Sequence, residues 1–265
     1  MARRTAILGN KGGVGKTSVA MRLAEALARE GRRVLYVDID AQGNATRRFG
    51  VRWYEGVQGT NEAVLANKVG AVRDSIHQIK WSVGYADRIK LVPAWLELDD
   101  RIAEAGVPGS HLRLVKALQG ADDHFDETLI DCPPSLSHLT QLALASSHQA
   151  IAVTEAEQDS VRGARRLVRW IAERAYDLHN EDLKVVGVVA TRVDLTKSID
   201  RAQLASIREI FGDLVWDPVI PRINGFKEID SNGSPITGAT GEKAGVMRAS
   251  FELLAATFEK RSLTV

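Results

Sequence analysis

Residues 11–17 read Lys-Gly-Gly-Val-Gly-Lys-Thr, a spacing suited to phosphate chemistry. Glycines let the backbone curl so that successive N–H groups converge on anionic oxygens. A lysine beside them supplies positive charge, and a threonine hydroxyl suits a hard cation such as Mg²⁺. The general pattern for such a loop, G-x-x-x-x-G-K-[ST], fails at one position, because Asn10 stands where its first glycine would. A second lysine, Lys11, opens the loop instead. Lys16 is expected to reach the β- and γ-phosphates of a nucleoside triphosphate and Thr17 to ligate the metal. Gly12, Gly13, Val14, Gly15 and Ser18 complete the expected cradle. Three aspartates, Asp38, Asp40 and Asp131, follow short apolar runs. Asp131 can hold Mg²⁺ through water, and Asp38 is expected near the metal. Any one of them could be a loop or helix-capping carboxylate; all three together argue for metal and phosphate chemistry.

The elements that must position these groups alternate. Apolar runs at Thr5–Leu8, Val34–Val37, Ile89–Val92, Thr128–Ile130, Ala150–Val153, Val185–Ala190 and Val215–Ile220 predict strands. Helical patterns cover Thr17–Arg29, His111–Leu118 and about 160–178, 199–211 and 241–261. Residues 51–88 carry only weak helical patterns interrupted by glycines. Strands separated by helices predict an α/β fold: a doubly wound, mostly parallel sheet with helices on both faces. In such sheets ligands bind at the carboxyl ends of strands, where the loop and the aspartates fall. One domain over 1–265 is expected.

The bulk numbers exclude little else. The 265 residues are 45% hydrophobic and 26% charged, with a formal net charge of +1, so global charge neither favours nor excludes nucleic acid. One cysteine, Cys132, rules out an intrachain disulfide and fits a reducing cytoplasm; it reads as a small packing residue. No apolar run approaches the roughly 20 residues of a membrane span, and no secretory segment precedes the first strand. Arginine outnumbers lysine 24 to 11, which fits either phosphate contact or a GC-rich genome. The six histidines lack metal-ligand spacing, and the five tryptophans show no row spaced for base stacking.

The heptad Lys11–Thr17 closely resembles the deviant Walker A loop of the ParA/MinD family of P-loop ATPases. Val37-Asp38-Ile39-Asp40-Ala41-Gln42-Gly43-Asn44 resembles that family's second signature, with Ala41 where proline is usual, and Leu129–Pro134 resembles its Walker B segment. Leu91-Val92-Pro93-Ala94, Thr191-Arg192-Val193-Asp194, Ile220-Pro221-Arg222 and Gly233-Ser234-Pro235 extend the likeness over nearly the whole chain. Only ten residues precede Lys11, so the likeness is to the short, Soj-like partition ATPases without an N-terminal helix-turn-helix. The resemblance implies ATP and Mg²⁺ as cofactors. It implies that Asp40 orients the attacking water, that Gln42–Asn44 senses the γ-phosphate, and that Pro221 and Arg222 line the adenine. It also implies that Lys11 reaches the partner subunit's phosphates, so that two molecules sandwich two ATPs in a homodimer; Lys11 serving its own nucleotide remains the alternative. Nonspecific double-stranded DNA and a ParB-like centromere-binding protein are the implied partners, plasmid or chromosome segregation the implied process, and the cytoplasm, on the nucleoid, the implied location.

One stretch points to DNA independently. Val161, Ala164, Leu167, Val168 and Ile171 fall on one side of a predicted helix. Arg162, Arg165, Arg166 and Arg169 fall on the other, at i, i+3, i+4 and i+7. Such a face suits phosphate backbones; it would also suit plain solvation or a subunit interface. A MinD-like membrane switch is the rival reading, and would use Met247, Phe251, Leu254 and Phe258 as the lipid-facing side of the last helix. An electron-transfer reductase fails for want of cysteines. A small-molecule kinase or ligase lacks a recognisable acceptor site, and a non-hydrolysing scaffold would leave Lys16, Thr17, Asp40 and Asp131 without purpose.

Overall fold

Alternation along the strands decides the architecture. The computed structural model describes residues 1–54, 56–223 and 233–262. Seven strands form one sheet: β1 (Arg3–Leu8), β2 (Val34–Asp38), β3 (His77–Gln78), β4 (Ile89–Val92), β5 (Glu127–Asp131), β6 (Gln149–Glu155) and β7 (Lys184–Thr191), in the order β3-β4-β2-β5-β1-β6-β7. All pairs are parallel except β3 with β4. Successive side chains point to opposite faces. Ala6, Leu35, Val37, Ile130, Ala152 and Val188 therefore enter one apolar core, and Ile7, Val34, Tyr36, Leu129, Ile151 and Val189 enter another. Burial on both faces is why these strands read as unbroken apolar runs.

Helices cover both faces. α1 (Lys16–Arg29), α2 (Asn44–Arg48) and α8 (Glu242–Ser262) supply one core. α3 (Thr60–Ala66), α4 (Arg113–Leu118), α5 (His138–Ala145), α6 (Gln158–Arg174) and α7 (Ser198–Phe211) supply the other. Met247, Phe251, Leu254 and Phe258 of α8 are all buried. The face weighed for a membrane is thus spent inside the protein, and among the described residues no helix is long and apolar enough to cross a membrane.

One expected strand does not form. Val215–Ile220 lies beside β7, with Trp216 N–H donating to Val188 O (3.0 Å) and Ile220 N–H to Ala190 O (2.8 Å). Only isolated bridges result, at Val215 and Pro221. Pro218 has no N–H to give, so the ladder cannot run through it. α5 was not expected; it is buried nearly all round, His138 and Thr140 included, without the two-sided pattern that marks a surface helix.

Candidate functional site

The parallel sheet brings the carboxyl ends of β1, β2, β5 and β7 to one edge, where a cleft of about 880 Å³ opens. The loop after β1 forms its floor. Gly13 and Gly15 hold φ of 86° and 91°, left-handed values that side chains strain to adopt. They turn the chain so that α1 starts at Lys16 with no side-chain cap. The first N–H groups of α1 are therefore left for an anionic ligand, at the positive end of the helix dipole. Thr191 of β7 fastens the loop from behind, its hydroxyl donating to Val14 O at 2.7 Å.

Gly12, Gly13, Gly15, Lys16, Thr17, Ser18 and Asp40 all line this cleft. Val14 is buried and offers only its backbone. Burial pulls the Lys16 pKa down, opposed by the nearby Asp131 and Asp40 carboxylates. Asp40 accepts the Gln42 N–H at 3.0 Å on its side chain and the Gly43 N–H at 2.8 Å on its carbonyl, a turn that sets Gln42 in the cleft lining. The far end is apolar. Pro221 and Arg222 line the cleft there with Ile220, Ile223, Met247 and Phe251, a lining suited to a planar base. Sequence reading did not assign Met247 and Phe251 to the site. Their helical spacing marks a buried face, and only tertiary packing shows that the end of that face meets the cleft.

Asp38 and Asp131 stand side by side in the β2–β5 ladder, fully buried. Burial raises both carboxyls above the ordinary range; the charge of Asp131 adds to the rise at Asp38, and at Asp131 Lys16 and the neighbouring hydroxyls of Thr17 and Tyr36 oppose it. Their bonding differs completely. Asp38 accepts from Thr46 N–H (3.0 Å), Thr46 hydroxyl (2.8 Å) and Asp40 N–H (3.2 Å). Asp38, expected near the metal, thus has both oxygens engaged in holding the start of α2 and the Asp40 turn. Neither oxygen of Asp131 has a hydrogen-bond partner of normal geometry. A buried, orphaned carboxylate beside Thr17 and Lys16 fits a cation–phosphate ligand. Among the described residues no cluster of three acidic, histidine or cysteine side chains gathers to hold a metal. Mg²⁺ does not need one, since it is held largely by water, phosphate and one or two protein oxygens. Cys132, next to Asp131, is buried and free, and burial pushes its thiol pKa up.

Lys11 points elsewhere. Its Nζ pairs with Glu157 Oε2 at 2.9 Å, both side chains about half exposed; this partner raises the Lys11 pKa and lowers that of Glu157. Glu157 immediately precedes α6, and a Cβ placed on Gly163 of α6 would sit 3.4 Å from the Asn10 side chain. The phosphate loop and α6 are thus in direct contact. On α6 the expected two faces are present: Val161, Ala164, Leu167 and Ile171 are buried, while Arg162, Arg165, Arg166 and Arg169 are exposed. Arg169 pairs with Glu173 at 2.6 Å and Arg162 stands 4.0 Å from Asp159. Arg165 and Arg166 have no ion pair among the described residues.

Known proteins resemble this chain over most of its length. The family described as an AAA domain matches residues 2–185. The chromosome-partitioning ATPase Soj of Thermus thermophilus is 36% identical over 235 residues, 88% of this chain and 87% of that protein. The structure of cobyrinic acid a,c-diamide synthase from Mycobacterium smegmatis, with bound ATP analogue and magnesium, superposes with a TM-score of 0.80 at 27% identity, covering 98% of this chain and 95% of that one. The cell division ATPase MinD of Pyrococcus furiosus superposes with a TM-score of 0.75 at 25% identity, covering 98% and 99%.

Proposed function

The chain belongs to the ParA-type partition ATPases, and from that premise we propose that it is a Mg²⁺-dependent, ATP-driven dimerising switch that binds DNA without sequence preference. The observation that carries the reading is the pairing of an open phosphate cradle with a second lysine that its own cleft does not use. ATP phosphates take the N–H groups of residues 12–17 and the Lys16 ammonium, and the base takes the apolar end near Pro221 and Phe251. Thr17 and, through water, Asp131 would hold Mg²⁺, which supplies charge neutralisation at the β- and γ-phosphates. Asp40, which lines the cleft, would orient a water for in-line attack. Its carbonyl and carboxylate also fix Gln42 and Gly43, so loss of the γ-phosphate releases the same segment that the carboxylate organises.

Lys11 is held by a single solvent-exposed ion pair, a weak contact. A partner subunit's phosphates, with more negative charge in a drier interface, would outcompete Glu157 and draw Lys11 across, as a trans-acting arginine does in other phosphoryl-transfer sites. Release of Lys11 from Glu157 would tie ATP-dependent dimerisation to the start of α6, whose arginine face then lies on duplex phosphates. A centromere-binding partner of the ParB kind would stimulate turnover, and the protein would work in the cytoplasm, on the nucleoid. Size-exclusion chromatography with ATP tests the switch. Wild type should shift from monomer to dimer, and Lys11→Ala should stay monomeric while still binding ATP. A Lys11→Ala protein that dimerises normally would remove the trans role. A ligase-like reading predicts a product other than ADP and phosphate; turnover without any added acceptor argues against it.

A further inference from the structure

Sequence spacing gives the tryptophans no common purpose, yet the fold gathers three of them. Trp53, Trp81 and Trp95 line a groove of about 810 Å³ together with Arg48, Arg52 and Lys80. Trp81 forms the fixed wall: it is 8% exposed, its indole N–H donates to Arg48 O at 3.2 Å, and its ring packs on Phe49 at 5.0 Å. Trp53 forms the open wall at 58% exposed, and the neighbouring Tyr54 is 61% exposed. Arg52 and Lys80 are exposed and have no side-chain partner among the described residues. Among the described residues no acidic side chain lines the groove. Arg52 and Lys80, without acidic partners among the described residues, raise the local positive potential, an arrangement suited to an anionic ligand.

We propose that this groove binds a base-plus-phosphate unit of single-stranded nucleic acid, with the base against the indoles and its phosphate between Arg52 and Lys80. Flat aromatic faces beside basic side chains are what sequence-tolerant single-strand binding uses. The groove includes no residue of α6 and adjoins the ATP cleft, Gln42 and Arg48 lining both. Occupancy of the groove therefore touches a segment that also lines the cleft.

The test uses the full chain in saturating Mg-ADP, which fills the ATP cleft, titrated with fluorescein-labelled oligo(dT) of eight nucleotides over a salt series. The expected result is binding that weakens with salt and falls at least about tenfold in Trp53→Ala and in Arg52→Ala/Lys80→Ala. Melting temperature and ATP turnover should be unchanged in both variants, and Arg165→Ala/Arg166→Ala should bind the oligonucleotide normally. Competition by AMP would show that a free nucleotide satisfies the groove; oligonucleotide binding without AMP competition would show that it needs a strand. No binding, binding that survives both groove variants, or binding lost instead with the α6 arginines would overturn the proposal. So would groove variants that lose ATP-dependent dimerisation while still binding oligo(dT), since the groove would then belong to a subunit interface. The α6 duplex contact stands or falls separately.

Discussion

Asp38 and Asp131 are neighbours in register, equally buried, on adjacent parallel strands, yet they have opposite surroundings. Asp38 sits in a knot: its side chain holds Thr46 and the Asp40 turn, Thr46 hydroxyl accepts the Ala94 N–H at 2.9 Å, and Thr60 hydroxyl donates to Asp38 O at 2.7 Å. It fastens the starts of α2 and α3 to the end of β4. Asp131 is left without hydrogen-bond partners of normal geometry. One carboxylate is committed to structure. The other is buried without such partners, which fits the metal-binding role proposed for it. Side-chain type and strand position are identical in the two; only the donors that surround each one differ.

Substitution should split the pair sharply. Asp131→Ala is expected to lower ATP turnover by on the order of 100-fold, while Asp131→Asn should leave the ligand-free melting temperature unchanged or higher, because an unpaired buried charge is removed. Asp38→Ala should do the reverse in stability. It strands three buried donors at about 1–3 kcal/mol each, and for a chain of this size that lowers the melting temperature by roughly 10 °C. If both variants melt alike and lose turnover alike, the division of roles is wrong. Asp40→Ala, in the cleft lining, should still bind ATP and dimerise but hydrolyse at least about tenfold more slowly, as phosphate-release and sizing assays would register.

Much of this edge was legible in advance. The heptad fixes the loop because strand, glycines and helix must follow in that order for the backbone to cradle phosphate. Fully apolar runs mark the central strands because both faces are covered. What could not be read depends on partners distant in sequence. The donors around Asp38 include Thr46, eight residues on, whose role appears only when α2 folds back. Met247 and Phe251 lie more than two hundred residues from the phosphate loop. Pro218 spoils a strand that its apolar neighbours advertise. Trp53, Trp81 and Trp95 line one groove only in the fold, two of them coming from 51–88, the least periodic part of the chain, and the third from beyond β4.

A third buried carboxylate sharpens the comparison from outside the cleft. Glu127, at the opposite end of β5, is pushed up to about 7 by burial, with the Arg3 guanidinium opposing. A raised carboxyl pKa means the folded state binds more protons than the unfolded one. Stability from this group is therefore full below about 4.5 and is lost as pH rises through about 7. Glu127→Gln should flatten the decline in melting temperature across that window without altering turnover; an unchanged slope would remove the assignment. The smallest effect belongs to Glu157→Gln, which frees Lys11 from an exposed, screened pair. ATP-dependent dimerisation should then occur at about twofold lower ATP, measured by light scattering, and a higher ATP requirement would contradict the parking role of Glu157.

The central claim is that ATP turns on DNA binding through α6, and binding to nonspecific double-stranded DNA in ATP, in ADP and without nucleotide, over a salt series, tests it most directly. The account predicts binding that requires ATP, weakens steeply with salt and is lost in Arg165→Ala/Arg166→Ala. Duplex binding that is indifferent to nucleotide, or no binding in any state despite confirmed ATP-dependent dimerisation, would contradict it.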